Sequence, residues 1–261
     1  TNYTSPVNTG TIALSNGTLN LNISGTTANI ASNLGAMLSG RAAGTVVNFG
    51  GTLDNTANTV NVGSSGLFGS GGLNSLTGTI SNGTIVSTDA TPNFTFSGSA
   101  ALDGVTLGSS LNLNGGVNIY NSLKLADGVT INKGNGSWLF RSTGLQEIGL
   151  AAGATAATIN NAGGLLYAGY GIAGQTLQLN AGVTLQGYGQ ITQSSAAGFT
   201  NNGVINANTA GQTLSLNTDS VSNNGSLRSS STGSLTVSPV TFVNNINGTI
   251  NLSGGTVNIS P

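Results

Sequence analysis

The final quarter of the chain repeats itself, and the repeat restricts what this chain can fold into more than anything else in it. Phe199-Thr-Asn-Asn-Gly-Val-Ile-Asn is followed by Gly211-Gln-Thr-Leu-Ser-Leu, and Val221-Ser-Asn-Asn-Gly-Ser-Leu-Arg by Gly233-Ser-Leu-Thr-Val. Phe242-Val-Asn-Asn with Gly248-Thr-Ile-Asn-Leu is followed by Gly255-Thr-Val-Asn-Ile. Leu214, Leu235 and Val257 occupy one position of the unit, and Leu216, Val237 and Ile259 the next apolar one. Gly203, Gly225 and Gly248 recur at the same step. Each unit holds short strands written apolar-polar-apolar, so both apolar residues face one side. Strands this short are not stable as isolated hairpins. Coiled into turns, each would pair with its equivalent about 4.8 Å above and below, and the apolar positions would stack into internal ladders. The expected fold is all-β, a parallel β-solenoid.

The pattern extends upstream less regularly. Asp103-Gly-Val-Thr-Leu107, Asp127-Gly-Val-Thr-Ile131 and Ala181-Gly-Val-Thr-Leu185 repeat one turn-plus-strand. The first two copies stand one unit apart, and the third follows after roughly two more. This spacing predicts that Asp103 and Asp127 stack one turn apart. Leu111-Asn-Leu113, Val117-Asn-Ile119, Leu123-Lys-Leu125 and Leu177-Gln-Leu179 fit between them, and Thr11-Ile-Ala-Leu14 and Thr18-Leu-Asn-Leu-Asn-Ile23 open the series. About 22 residues per turn over 261 residues gives about 12 turns and a rod roughly 55 Å long. One domain is expected over 1–261, with a less regular N-terminal or capping part (1–50), irregular turns (51–198) and regular turns (199–261). Ile30, Leu34, Met37 and Leu38 follow helical spacing and predict a short helix near 28–39. The Ala-rich stretch from Leu150 to Ala157 reads as a helical turn or a flat β corner. The Asn-Gly and Gly-Gly pairs are expected to supply positive φ at corners, and inward Asn side chains to stack as amide ladders.

Composition removes whole classes of function. Only 11 residues are charged, 4% of the chain, against about 25% in a typical soluble protein. Five scattered cations cannot track a nucleic-acid backbone. With no His and no Cys there is no zinc site of the usual kind, no Ser-His-Asp or Cys-His catalysis and no disulfide framework. A hydrophobic fraction of 37% and a net charge of −1 argue against a disordered chain. No unbroken apolar run is long enough to mark a transmembrane helix.

What remains is surface chemistry. Six of the eleven charges fall in 103–147, beside the single Trp138. Two neighbouring carboxylates, Asp103 and Asp127, would suit an ion or acid/base work on a polysaccharide, whereas Asp before Gly is also simply a favoured turn. Tyr167, Tyr170 and Tyr188 form either corner packing or a carbohydrate-stacking platform. Gly169-x-Gly171-x-x-Gly174 matches a dinucleotide-binding string without the βαβ context that gives it meaning. Regular Thr arrays for ice binding are not evident, because the outward residue between apolar pairs varies. Asn-x-Thr sequons such as those at Asn16, Asn82 and Asn247 follow from Asn-Gly corners preceding Thr-rich strands. No cofactor is expected.

The segments Phe199-Thr-Asn-Asn-Gly-Val-Ile-Asn…Gln212-Thr-Leu-Ser-Leu and Ala181-Gly-Val-Thr-Leu-Gln-Gly-Tyr-Gly-Gln-Ile resemble the repeats of bacterial autotransporter passengers and filamentous-haemagglutinin-type adhesins. The resemblance covers 100–261 well and 1–99 loosely. It implies a right-handed β-helix, an extracellular or bacterial cell-surface location, and roles in adhesion, biofilm or surface structure. An Asn-Pro-Asn motif of two-partner secretion and a C-terminal barrel of alternating aromatic strands are both missing from the sequence. On this basis the expected function is a non-enzymatic rod that stacks head to tail into a surface filament or biofilm-matrix fibre. The stacking would use Thr11, Leu14, Leu19, Leu21 and Ile23 at one edge and Ile250, Leu252, Val257 and Ile259 at the other, with Thr1 to Gly10 bridging to the neighbour. The competing expectations are a monomeric glycan-binding adhesin and a polysaccharide-acting enzyme using the 103–147 cluster.

Overall fold

The computed structural model describes residues 11–42 and 44–261, so the expected bridging segment Thr1 to Gly10 lies outside the described residues. The chain winds as a parallel β-solenoid whose strands form three stacks. The first stack runs from Thr18–Leu21 through Val46–Phe49 to Thr249–Ser253. The second runs from Gly25–Thr26 through Thr52–Asp54 to Thr256–Ile259. The third begins only at Thr59–Asn61 and ends at Thr241–Asn244. Four longer strands bend at a corner and serve two stacks: Ala101–Leu107, Val117–Leu125, Ala157–Tyr167 and Val183–Thr192.

About nine turns of about 22 residues carry the rod, not the twelve expected. The turn length is as read; the difference lies at the ends, which make only partial turns. After Gly25–Thr26 the chain enters a helix, Thr27–Met37, where later turns place a third-stack strand. The Thr26 hydroxyl accepts the Asn29 N–H at 3.3 Å and caps it. Ile30 and Leu38 are buried against the end of the core. At the other end, Thr249–Ser253 and Thr256–Ile259 pair on one edge only, with the turn before them. The Ala-rich stretch after Leu150 is a β corner, with strand resuming at Ala157.

Inward residues form one continuous apolar core from Leu21 to Val237. The C-terminal ladders fall as the spacing predicts: Leu214, Leu235 and Val257 align, as do Leu216, Val237 and Ile259. The glycines between them act differently from expectation. None of Gly203, Gly225 and Gly248 has positive φ. A side chain there would instead strike the turn below: a Cβ at Gly225 would lie 2.1 Å from the Gly203 carbonyl oxygen, and one at Gly248 2.4 Å from that of Asn223. These glycines permit close backbone approach. Positive φ is supplied at other corners, among them Gly83, Gly104, Gly128 and Gly182.

Asp103 and Asp127 do not stack. The turn between them is short, so Asp103 lies opposite Tyr120. The Asp127 motif does align two turns on, through Thr130, Thr158 and Thr184. No described helix is long and apolar enough to cross a membrane.

Candidate functional site: an amide-lined groove on the first stack

In a β-strand the residue between two inward apolar ones points out, so each first-stack strand presents one or two side chains to solvent. In six consecutive turns, from Asn93 to Asn206, the same outward position is an amide, and the first five are hydrogen-bonded in series. The Asn112 Nδ2 donates to Asn93 Oδ1 at 3.1 Å, Asn132 to Asn112 at 2.8 Å, Asn160 to Asn132 at 2.7 Å, and Gln186 Nε2 to Asn160 Oδ1 at 2.8 Å. An amide offers two N–H donors and two carbonyl lone pairs. An amide inside this chain spends one donor and one lone pair on its neighbours, leaving one of each facing outward, ordered and repeating at the strand spacing of about 4.8 Å. Beside the amide column lies a groove of about 540 Å³, edged by Asn114, Asn208, Thr209 and Tyr188.

Tyr188 owes its place to glycines. Gly187 and Gly189 on either side have φ of 111° and 117°, and a Cβ on either would meet backbone oxygen of the preceding turn, Asn161 at 2.1 Å and Gly164 at 2.5 Å. A Cβ at Gly163 would meet the Tyr188 ring at 2.7 Å, so the ring occupies the room that Gly163 leaves.

One charged residue lines the groove, Lys133, and it is 1% exposed. It stands at an inward position, between Leu113 and Asn161 of the adjacent turns. Its Nζ donates to the carbonyls of Gly136 at 2.6 Å and Gly134 at 3.3 Å, and to Asn161 Oδ1 at 3.0 Å. It also lies 5.9 Å from the centre of the Trp138 ring. Burial pushes the Lys133 ammonium down from the usual lysine value to about 7. Asn161, itself buried, is fixed by a bond from Nδ2 to the Gly164 carbonyl at 3.1 Å. The lysine therefore ties a corner of the rod from inside and gives the groove floor its single cation.

No family model, curated protein or solved structure matches this chain. Its chemistry is read from its own side chains.

The structure disperses the residues singled out from the sequence. Tyr188 joins the groove. Trp138 is 1% exposed, its indole faces the core, and its Nε1 has no hydrogen-bond partner. Asp103 accepts from Asn121 Nδ2 at 2.7 Å. Asp127 caps the next turn, taking the Thr155 N–H at 2.7 Å, the Ala156 N–H at 3.2 Å and the Thr155 hydroxyl at 2.9 Å. Those bonds, the Thr155 N–H first, hold its carboxyl below the usual aspartate range. Tyr167 and Tyr170 pair edge to face, 5.2 Å between centres, at the corner between the second and third stacks. Of the edge residues, Leu21 is buried and Leu14, Leu19, Ile23, Ile250 and Val257 are partly buried against the core. Leu252 and Ile259 are exposed, as is Thr11.

The amide column escaped the sequence reading, and Lys133 entered it only as one of the six charges in 103–147. The column's hydrogen-bonded members lie 19, 20, 28 and 26 residues apart, which no fixed period reveals. Lys133 did leave a signal: alternation from Ile131 puts it at an inward place, just before the corner glycines Gly134 and Gly136.

Proposed function

We propose that this protein is a non-enzymatic rigid rod of a bacterial cell exterior that binds neutral glycan chains along its first-stack flank. The observation that carries this is the amide column: pre-ordered donors and acceptors at a constant spacing, with a tyrosine ring alongside and almost no charge. Sugars present hydroxyls that both donate and accept, and apolar C–H faces that lie against aromatic rings. A linear polymer laid along the column would meet the same pair of groups at each of its turns. The ordered amides lose little freedom on binding, which limits the entropic cost. Location at the cell exterior is supported by the resemblance of residues 181–216 to surface-protein repeats.

The test is affinity electrophoresis of the whole chain through gels containing neutral β-glucan, galactan or mannan. Retardation by at least one, reduced about tenfold in Asn132→Leu/Asn160→Leu, is expected. Migration unchanged by all three polymers, or a double variant that binds as well as the parent, overturns the reading.

A second reading, end-to-end association with another copy, rests on its own observation. Among the described residues, five of the six large apolar side chains that are exposed lie in 240–259: Val240, Val243, Ile246, Leu252 and Ile259, with Ile246 at 99%. No residue after Arg228 carries a side-chain charge, so like charges do not oppose stacking there. Sedimentation velocity over a concentration series should show growing species that Leu252→Lys abolishes. A single species at all concentrations sinks it.

A further inference from the structure

The sixth exposed apolar side chain, Leu145, 57% exposed, stands apart from the end of the rod. It lies on the corner between the second and third stacks, shortly after Arg141 and one turn from Tyr167 and Tyr170. The Tyr170 N–H bonds to the Phe140 carbonyl at 3.2 Å and to Gln175 Oε1 at 3.1 Å, which fixes the loop over the preceding turn. Arg141 lies over the Tyr170 ring with its Cζ 5.2 Å from the ring centre, and Tyr167 meets Tyr170 edge to face. All three are half-buried.

Arg141 is under-used. A guanidinium has five N–H donors. Among the described residues it makes one hydrogen bond, Nη1 to Asn118 Oδ1 at 3.0 Å, and no ion pair. The stacking on Tyr170 and the bond to Asn118 hold the planar fork in one orientation, so its remaining donors are ordered before any ligand arrives. A fork in that state suits a planar carboxylate, which it can take by two parallel bonds. The neighbouring surface is aromatic and aliphatic, which suits the C–H face of a pyranose ring. A uronic-acid residue carries both features, a carboxylate on a ring.

We propose that Arg141, Tyr167, Tyr170 and Leu145 form a second site, separate from the amide groove, that binds carboxylated sugars of an acidic polysaccharide. The arrangement accounts for an isolated cation on a nearly chargeless surface and for the one exposed leucine, among the described residues, outside the rod's end. It also separates two ligand classes on one molecule: neutral chains by hydrogen bonds along the first stack, acidic chains by charge and stacking at this corner.

The experiment measures binding of the full chain to polygalacturonate, to the same polymer with its carboxyls methyl-esterified, to dextran sulfate and to poly-glutamate. Polygalacturonate should bind, and esterification or added salt should weaken it by at least about tenfold. Arg141→Gln should lose at least about tenfold, Arg141→Lys should lose part of that because the charge stays and the fork goes, and Tyr167→Ala should weaken binding with the cation untouched. Asn132→Leu/Asn160→Leu should bind polygalacturonate as the parent does, whatever it does to neutral glycans. Equal binding of acid and ester forms, an unaffected Arg141→Gln protein, no binding of polygalacturonate, or a preference for dextran sulfate or poly-glutamate would each overturn the assignment. Far-UV circular dichroism of each variant shows that the solenoid is intact.

Discussion

From Ala197 onward the step from a strand to its partner in the next turn is nearly constant: Ser220 faces Thr241, Val204 faces Ser226, Ser234 faces Thr256 and Ser226 faces Thr249. Between Ala101 and Thr192 the step varies almost twofold, from the short one that joins Ala101 to Asn118 to the long one that joins Leu145 to Thr176. Constant step lets a residue be solvated by its own copy. The buried Asn201 donates to Asn223 Oδ1 at 2.8 Å, and Asn223 to Asn244 Oδ1 at 2.7 Å. Outside them Asn224 donates to Asn202 at 2.7 Å and Asn245 to Asn224 at 2.5 Å. The inner ladder stops where Leu179 takes the place of Asn in the turn before Asn201, leaving Asn201 Oδ1 without a partner. At inward positions of the middle turns no such copy is available, and Lys133, one of the buried polar residues there, is satisfied by corner carbonyls and one amide instead. Variable corners also let side chains project, and both proposed ligand sites lie there. Regular turns carry inner amide ladders; irregular turns make a surface.

The comparison can be broken in three places. The largest effect is expected at the close-packed glycines. Gly225→Ala drives a Cβ into the Gly203 carbonyl, and about 4 kcal/mol or more should be lost, by melting of the C-terminal turns seen as new protease cleavage. Gly153→Ala, at a middle corner with φ of 80° and open space around its Cβ, should cost only about 1–2 kcal/mol. Equal losses in urea unfolding would remove the distinction. Next, Asn223→Ala breaks the inner ladder between the buried Asn201 and the exposed Asn244 and empties a fully buried position, for about 2–3 kcal/mol. Asn132→Ala, in the outward column where water can replace the lost bonds, should cost less than about 1 kcal/mol. A large loss there would make the column structural rather than free for a ligand.

The third place is a pH slope, gradual per pH unit. Lys133 titrates near 7 in the folded chain and near 10.4 when unfolded. Between these values the unfolded chain binds more protons, so stability should rise with pH, by at most about 1.4 kcal/mol per unit. Lys133→Met should abolish the rise. A parent protein whose stability stays flat from pH 7 to 10 would mean that the oxygens around Nζ outweigh its burial.

Legibility in the sequence followed the same division. Where the step is constant, alignment by eye placed Leu214, Leu235 and Val257 correctly and anticipated the stacked amides. Where it varies, equal motifs misled. Asp103-Gly-Val-Thr and Asp127-Gly-Val-Thr look alike, yet the short turn between them carries the first onto the third stack and the second onto the first. The helix was visible in the spacing of Ile30 and Leu38, but its effect on the turn count was not. Of the surface candidates, Tyr188, Tyr167 and Tyr170 were visible as residues. So were Lys133 and Arg141, as charges of the 103–147 cluster; that Tyr188 would meet Lys133 and the amide column, and Tyr170 would meet Arg141, was not.

The sequence by itself determined the solenoid, because strand alternation and a recurring apolar spacing are local properties, and coiling satisfies both the strand edges and the apolar faces. It also determined that the surface carries almost no charge. Only the tertiary structure decided which polar side chains meet. Contact across a stack depends on the length of every corner passed on the way round, and those lengths differ from turn to turn. Their sum put Lys133 beneath a groove, aligned amides from six unequally spaced turns, and set an unpaired arginine on a tyrosine ring.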